Sequence, residues 1–329
     1  MRINGLRIVW SLAGSVNVIK WRKQKQLDEH IGLELREDGI AIAHRQAADY
    51  GNKLQHVDFL AADVNSTNQQ LLGDYIKTHR LQRKTCNVVL PQGQYQLLLV
   101  DAPDVPDDEM RSALRWKIKD LVSSPLEEAA IEFFHLPDDG GHSRKKMVYV
   151  VLAEMVRLKS IVELIKSVDL QLVSIDINEL VMRNLASSLI DPQFDGRGVA
   201  IARLRQGRGS VSLFKKGNLY LSRQFDLEYQ AGLLEDLPED ILSLELQRSL
   251  DYYERQMGQA PPGVVYICGD GVAEDKITEP FKRSLATAIQ YLDVSAIFGV
   301  PDDMDAMALQ QCLGAVGGSL RSEVGHAAN

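Results

Sequence analysis

The sequence predicts an α/β protein of two halves, each opened by a β-hairpin, and three observations lead there. Residues 195–226, DGRGVAIARLRQGRGSVSLFKKGNLYLSRQFD, carry three short runs (199–204, 210–214 and 219–225) in which Val, Leu, Ile, Phe and Tyr recur between Gly-rich turns. That spacing is an antiparallel meander. A shorter echo, IGLELREDGIAIAHRQ, sets the runs 31–35 and 40–44 around a turn at 37–39. The rest of the chain alternates apolar strand-length runs with amphipathic helical stretches. Two hairpins of one kind, each opening one half, imply a duplicated fold with a cleft between the halves.

At 329 residues the chain has the length for two medium cores. Hydrophobic content of 45% and charged content of 25% are those of an ordinary soluble globular protein. A net charge of −8 and a pI of about 5.5 argue against bulk nucleic-acid binding. The three cysteines, Cys86, Cys268 and Cys312, stand alone in apolar or mixed runs with no CxxC. They read as reduced core residues of a cytosolic protein, not as a disulfide framework or a zinc site.

Charge is unevenly spread. Residues 1–26 carry six basic side chains and no acidic one, which leaves −14 for the remainder. The apolar stretch 6–21 is too short and too polar to span a bilayer, and its basic cluster KWRKQK follows it, the reverse of a secretory signal. On a helix, Val9, Leu12, Ala13, Val16 and Ile19 share a face between Trp10 and Trp21. Such a leader suits an anionic membrane surface. The competing readings are a disordered leader, or residues upstream of a true start near Val18.

From Leu27 the elements follow in order. After the hairpin come an apolar run at 57–61 and a helix over 68–79, capped by Asn65 or Ser66, with Leu71, Leu72, Tyr75 and Ile76 inward. Strands are expected at 86–90 and 95–100. Pro106 and the acidic Asp107, Asp108 and Glu109 open a helix with the stripe Met110, Ala113, Leu114, Ile118 and Leu121, stopped at 123–125. Strands 131–135 and 147–153, a helix 156–168, a strand 170–177 and a helix 178–189 complete the first half. The Pro/Gly/Asp segment 191–198 marks the boundary. Beyond the meander come a helix 241–257, a buried strand 264–268, a further helix and strand, and a helix 307–320 whose GAVGGSLR end lets it pack closely. Residues 322–329 read as a frayed tail.

Chemistry is sparsely marked. Glu34, Glu37 and Asp38 in the front hairpin could serve acid/base or metal chemistry, but three acidic residues at a tight turn read more simply as a solvated loop. Arg203, Arg205 and Arg208 beside Gly207 and Gly209 could hold an anion through guanidinium forks and backbone N–H groups, or form a plain charged turn. No GxSxG, GxxxxGK[ST], HExxH or GxGxxG occurs, and the seven histidines are scattered. No nucleophile–base set is legible.

The order of elements resembles the actin-like ATPase superfamily, and within it the PilM-like proteins of type IV pilus systems. Their first hairpin reads like IGIDIGS and their second like VDIGxxxTxLxVFxxG, with a later strand ending in SGG. The matching positions here are IGLELR (31–36), ARLRQGRGSVSLFKKG (202–217) and CGDG (268–271). SIDINELVMRNLA (174–186) is similar to the family's join between the halves, and LQRSLDYYERQ (246–256) and GAVGGSLR (314–321) to later helices. LPQGQYQLLLVDAPDVP and EMRSALRWKIKDL, within 90–137, resemble the MSHA-pilus branch most.

The resemblance implies an actin-like (RNase H-like) duplicated α/β fold with mixed sheets flanked by helices. It divides the chain into 27–190, a first lobe with an inserted subdomain, and 191–321, a second lobe. It also implies a nucleotide cleft at Glu34, Arg203, Arg205, Gly207, Gly209, Gly269 and Gly271. That cleft departs from the family. Glu34 replaces Asp, Arg36 stands where Gly lets the backbone approach phosphate, and Arg203 and Arg205 take the places of a metal- or water-positioning Asp and of a Gly. A guanidinium cannot coordinate Mg²⁺. Bulky arginines also obstruct a turn that must lie against phosphate.

The expectation is therefore a cytoplasmic scaffold, peripheral at the inner membrane, with no catalytic residue, metal or cofactor and no nucleic-acid partner. It would bind the short cytoplasmic tail of a PilN-like bitopic inner-membrane protein near 95–121, beside other pilus assembly platform proteins. Two rivals are a working ATPase of the same fold using ATP and Mg²⁺, and the related cytoplasmic domain of the type II secretion protein GspL. The GspL type continues into a transmembrane helix, which is not expected after Leu320.

Overall fold

The computed structural model describes residues 29–48, 51–122, 125–137, 146–189, 196–232, 234–301 and 304–321. The expectations placed on the leader, on the tail and on most of the boundary segment fall outside the described residues. Strands β1 (Glu29–Leu35), β2 (Gly39–Ala48) and β3 (Gly51–Ala61) form an antiparallel meander with Leu33 opposite Ile42. β3 starts earlier than the apolar run 57–61 suggested, because its polar first half pairs with the far end of β2 past a register shift at His44/Arg45. Strand β4 (Thr85–Leu90) lies parallel to β1, and β8 (Gln171–Ile177) parallel to β4, giving the order β3-β2-β1-β4-β8.

The second half repeats this plan. Strands β9 (Val199–Arg205), β10 (Arg208–Lys215) and β11 (Asn218–Asp226) form the second meander, with β12 (Val264–Gly269) parallel to β9 and β13 (Ala288–Tyr291) parallel to β12. The order β11-β10-β9-β12-β13 matches the first sheet strand for strand. Between β4 and β8 the chain leaves to build a third sheet, in the order β5-β7-β6, from β5 (Tyr95–Asp101), β6 (Ala129–His135) and β7 (Met147–Glu154). This insert has its own core, where Met110, Leu114 and Ile118 of helix α2 (Asp107–Ile118) meet Val148, Val150 and Leu152.

Helix ends follow local chemistry. Helix α1 (Asn68–Thr78) is capped by Thr67, not by Asn65 or Ser66, because Thr67 and Gln70 form a reciprocal capping box. Helix α2 closes with a single-turn bond of 3.4 Å from Lys119 N–H to the Trp116 carbonyl three residues back, so Leu121 falls past the apolar stripe and is 59% exposed. Helices α3 (Met155–Ser167), α4 (Asn178–Leu189) and α5 (Glu239–Arg255) lie where their apolar spacing put them, and α6 (Glu279–Lys282) is a single turn. The helix expected over 307–320 is two, α7 (Ala306–Gln311) and α8 (Leu313–Ser319), joined at Cys312, whose φ of −100° and ψ of 14° leave the helical region.

α8 crosses back to the first half and packs on β1, β2, β4 and α4. The glycines permit it: a Cβ on Gly32 would sit 1.9 Å from the Ala315 carbonyl oxygen, and one on Gly314 2.4 Å from Glu34 Oε2. α4 touches both large sheets. Alternation along β9 then divides the second core. Ile201 joins the apolar cluster of the first lobe, while Ala200, Ala202 and Leu204 pack with Leu242, Leu246 and Leu250 of α5. The three cysteines are buried and free, and burial pushes their thiols up. Among the described residues, no helix is long and apolar enough to cross a membrane.

Candidate functional site

The cleft forms where the ends of β1, β9 and β12 meet the start of α4. Alternation puts Gly32 and Glu34 on the face of β1 that α8 covers, with Arg36 just past the strand. The same alternation turns Arg203 and Arg205 of β9 away from the α5 side, toward the first lobe. Asp270 follows the last residue of β12.

These side chains neutralise one another across the cleft. Glu34, 0% exposed, accepts from Arg203 Nη2 at 3.0 Å and Nη1 at 3.4 Å, and from Arg205 Nη1 at 3.2 Å. Arg203 Nη1 also donates to Asn178 Oδ1. Arg36 forks onto Asp38 (2.7 and 2.6 Å) and onto Asp270 (3.1 and 2.6 Å), donates to the Gln311 carbonyl at 3.0 Å, and stacks 4.7 Å above the Phe59 ring. Arg205 Nε lies 3.9 Å from Asp270 Oδ2. Burial opposes ionisation of Glu34, but the guanidiniums of Arg203, Arg205 and Arg36 outweigh it and hold the carboxyl down to about 2. Burial likewise opposes the charge on Arg203, yet Glu34 lifts its pKa above the ordinary value; Arg205, more weakly paired and close to two other arginines, is shifted down by burial. Two buried donors, Arg203 Nε and Asn178 Nδ2, have no hydrogen-bond partner.

The site residues named from sequence separate into two groups. Glu34, Arg203 and Arg205 meet in one network, which corrects the reading of the front hairpin as wholly solvated: only Glu37 and Asp38 lie in an exposed turn, because β1 carries Glu34 under α8. Gly207 is exposed in the β9–β10 turn, whereas Gly209 is buried as the second residue of β10. The Gly207 N–H donates to the Tyr229 carbonyl at 2.8 Å, Gly209 lies against the Phe225 ring, and Arg208 reaches the Gln92 carbonyl at 3.3 Å. Gly269 has a φ of +121°, donates to Gln310 Oε1 at 2.9 Å, and leaves no room for a Cβ beside the Leu204 carbonyl. Gly271 is pressed against Ala231 and Tyr229. Gln310 also lines a cavity of about 240 Å³ with Tyr291, Val294, Met304 and Leu309.

Sequence reasoning missed Asp270, Asn178 and Glu179. The first sits between two glycines already singled out, and the other two open the helix after a strand, so their positions were visible but not their partners. Glu179, fully buried, accepts from Tyr95 Oη at 2.5 Å, Ser222 Oγ at 3.3 Å and Gln224 Nε2 at 3.3 Å, and burial raises its pKa. It therefore joins the insert, α4 and β11. Among the described residues, no group of three or more His, Cys, Asp or Glu side chains is placed to hold a metal ion. The residues present do not fit a Mg²⁺-nucleotide, because Arg203 and Arg205 take up both oxygens of Glu34.

No protein-family model and no curated protein matches the chain. Solved structures do. A chain of a PilM–PilN type IV pilus biogenesis complex superposes with a TM-score of 0.68, covering 90% of this chain and 98% of that one at 16% identity. A Bacteroides thetaiotaomicron protein with actin-like ATPase fold and unknown function superposes with a TM-score of 0.50, covering 90% and 99% at 11% identity. The cytoplasmic domain of EpsL, an inner-membrane component of the Vibrio cholerae type II secretion system, gives 0.48 over 86% and 92% at 12% identity. With the repeated strand order, the first two define the class: this is an α/β protein of the actin-like fold. Beyond the fold, its particular role is a matter of proposal.

Proposed function

We propose that the chain is a non-hydrolysing actin-like scaffold of type IV pilus assembly, of the MSHA type and corresponding to MshI. In this reading it binds the cytoplasmic tail of a PilN-like inner-membrane protein, together with other platform proteins. The observation that carries the scaffold reading is the cleft itself. Glu34 is the carboxylate best placed for chemistry, and it is fully buried and bound by Arg203 and Arg205 of the opposite lobe. A carboxylate so engaged sits against two guanidinium cations that would repel a metal ion, and it lacks the raised pKa of a general acid or base. The likeness to a chain of a PilM–PilN complex over nearly its full length supports the pilus setting and the kind of partner. The segments within 90–137 support the MSHA branch. The basic, apolar leader supports a cytoplasmic station at the membrane face.

The test pairs two titrations on the full chain. A synthetic N-terminal tail of the PilN-like protein from the same cell should bind at micromolar concentration, while ATP with Mg²⁺ should give no saturable heat. Micromolar, metal-dependent ATP binding would establish the rival ATPase. No binding of any such tail would remove the partner from the proposal.

A further inference from the structure

Three guanidiniums from two lobes meet in one largely buried network, and that is a demanding arrangement. Arg36, Arg203 and Arg205 are balanced by Glu34, Asp38 and Asp270. Of the three acids, Glu34 alone is fully buried and bound by two arginines of the opposite lobe, whereas the Asp38 side chain is 47% exposed. Donors also exceed acceptors here. Arg203 Nε and Asn178 Nδ2 are buried beside this carboxylate with no partner, although unpaired buried donors are uncommon in folded proteins. The far side of the carboxylate is closed by Gly314 of α8, which presents no side chain to it.

We propose that the cleft is an oxyanion site closed in cis, in which the Glu34 carboxylate holds the place of an external carboxylate- or phosphate-sized anion. This rests on the reading above of a cleft that takes no nucleotide. Glu34 acts as an internal ligand: it satisfies the arginines of the second lobe, excludes competing anions, and draws the lobes together without a dissociable group. Truncating Glu34 beyond Cβ removes one methylene and the carboxylate, a fragment the size of acetate. The space so opened is lined by Arg203, Arg205, Asn178 and Gly314.

The test is chemical rescue of Glu34→Ala in the full chain, read as thermal unfolding in sodium chloride, sodium acetate and sodium phosphate at equal ionic strength. In chloride the variant should melt below wild type. Acetate should raise its Tm saturably by about 3 °C or more, as expected for a ligand well above its Kd, while leaving wild type at its chloride value. With wild type in the same salt as the reference, a larger shift of the variant in phosphate than in acetate would mark a phosphate-type site, and the reverse a carboxylate-type site. Equal melting of the variant in all three salts overturns the proposal, as does an acetate response of the same size in wild type. If Glu34→Ala gives no folded protein in chloride, recovery in acetate supports the proposal. Glu34→Ala/Arg205→Met, with less excess charge, supplies the second variant, and its failure to respond to acetate, or to fold in it, overturns the proposal. None of these readouts involves ATP or a partner peptide. Nucleotide binding by wild type would therefore sink the scaffold reading, whereas anion indifference of the variant would sink only this one.

Discussion

Asp270→Ala asks whether the two lobes are held together by charge. Asp270 is 6% exposed and accepts two bonds from Arg36, at 3.1 and 2.6 Å, across the cleft. Removing one partner of a buried ion pair costs roughly 3–5 kcal/mol when the other is left bare. Arg36 is not left bare, since Asp38 still accepts two bonds and Gln311 a third. The charge stays compensated and only the inter-lobe bonds are lost, so the expected cost is about 2 kcal/mol. The assay is a double-mutant cycle by urea unfolding, with Asp270→Ala, Arg36→Met and the pair. Because Arg36→Met removes the same contact, the second substitution should cost less in the first background, with a coupling of at least about 1 kcal/mol. Costs that add to within about 0.5 kcal/mol would refute the argument, because the Arg36–Asp270 pair would then contribute nothing to holding the lobes.

Two further outcomes follow from contacts described above. Gly32→Val places a Cβ 1.9 Å from the Ala315 carbonyl oxygen, a backbone atom that cannot swing aside; α8 should be unseated at a cost above about 3 kcal/mol, read as faster hydrogen exchange across 313–319. Acid should weaken the protein through Glu34: with a folded value of about 2 against 4.5 for the free side chain, its stabilisation is complete above about pH 4.5 and is lost as pH falls toward 2. The full loss amounts to about 3 kcal/mol, of which about 2 kcal/mol falls between pH 6 and pH 3, and the comparison is ΔG of unfolding at those two pH values for wild type and Glu34→Gln, the variant showing the shallower loss. Glu179, raised by burial, acts in the opposite sense and favours the fold more at lower pH in both proteins.

What could be read from sequence was what local spacing encodes. The two meanders, the apolar strands 86–90 and 264–268 and the helical stripes each rest on residues within one turn or one pleat, and those elements stand where they were expected. The Gly-rich end of the chain also announced close packing, and Gly32, Gly314 and Gly317 deliver it. The break at Cys312 was not legible, because CLGAVGG carries no helix stop and the kink comes from packing α7 on β3 and α8 on β1. The site was half legible for the same reason. Arg203 and Arg205 are conspicuous in a strand of small and aliphatic residues, but their acceptor lies 169 and 171 positions away in the other lobe. Pairing of that range is set by tertiary register, not by any motif.

The second buried acid extends the argument from the cleft to the insert. Asn178 and Glu179 are neighbours on the first turn of α4, and both meet the second lobe, but Glu179 also reaches the insert. Asn178 holds Arg203 beside Glu34, while Glu179 takes the Tyr95 hydroxyl from the insert and Ser222 and Gln224 from β11. Tyr149 of the insert adds a bond to the Tyr220 carbonyl at 3.0 Å, again in the second lobe. The insert is thus tied to the second lobe through the same helix turn that meets the ion-pair network. A lobe rotation that separates Arg203 from Glu34 must also strain the Tyr95–Glu179–Gln224 bridge, and leaving a buried carboxylate short of donors is costly. Linkage then works in both directions: whatever binds the insert and shifts Tyr95 alters the free energy of closing the cleft, and closure alters affinity at the insert by the same factor. On the proposed scaffold reading, that coupling would leave the setting of the lobes to the protein's own charges and to any partner bound at the insert.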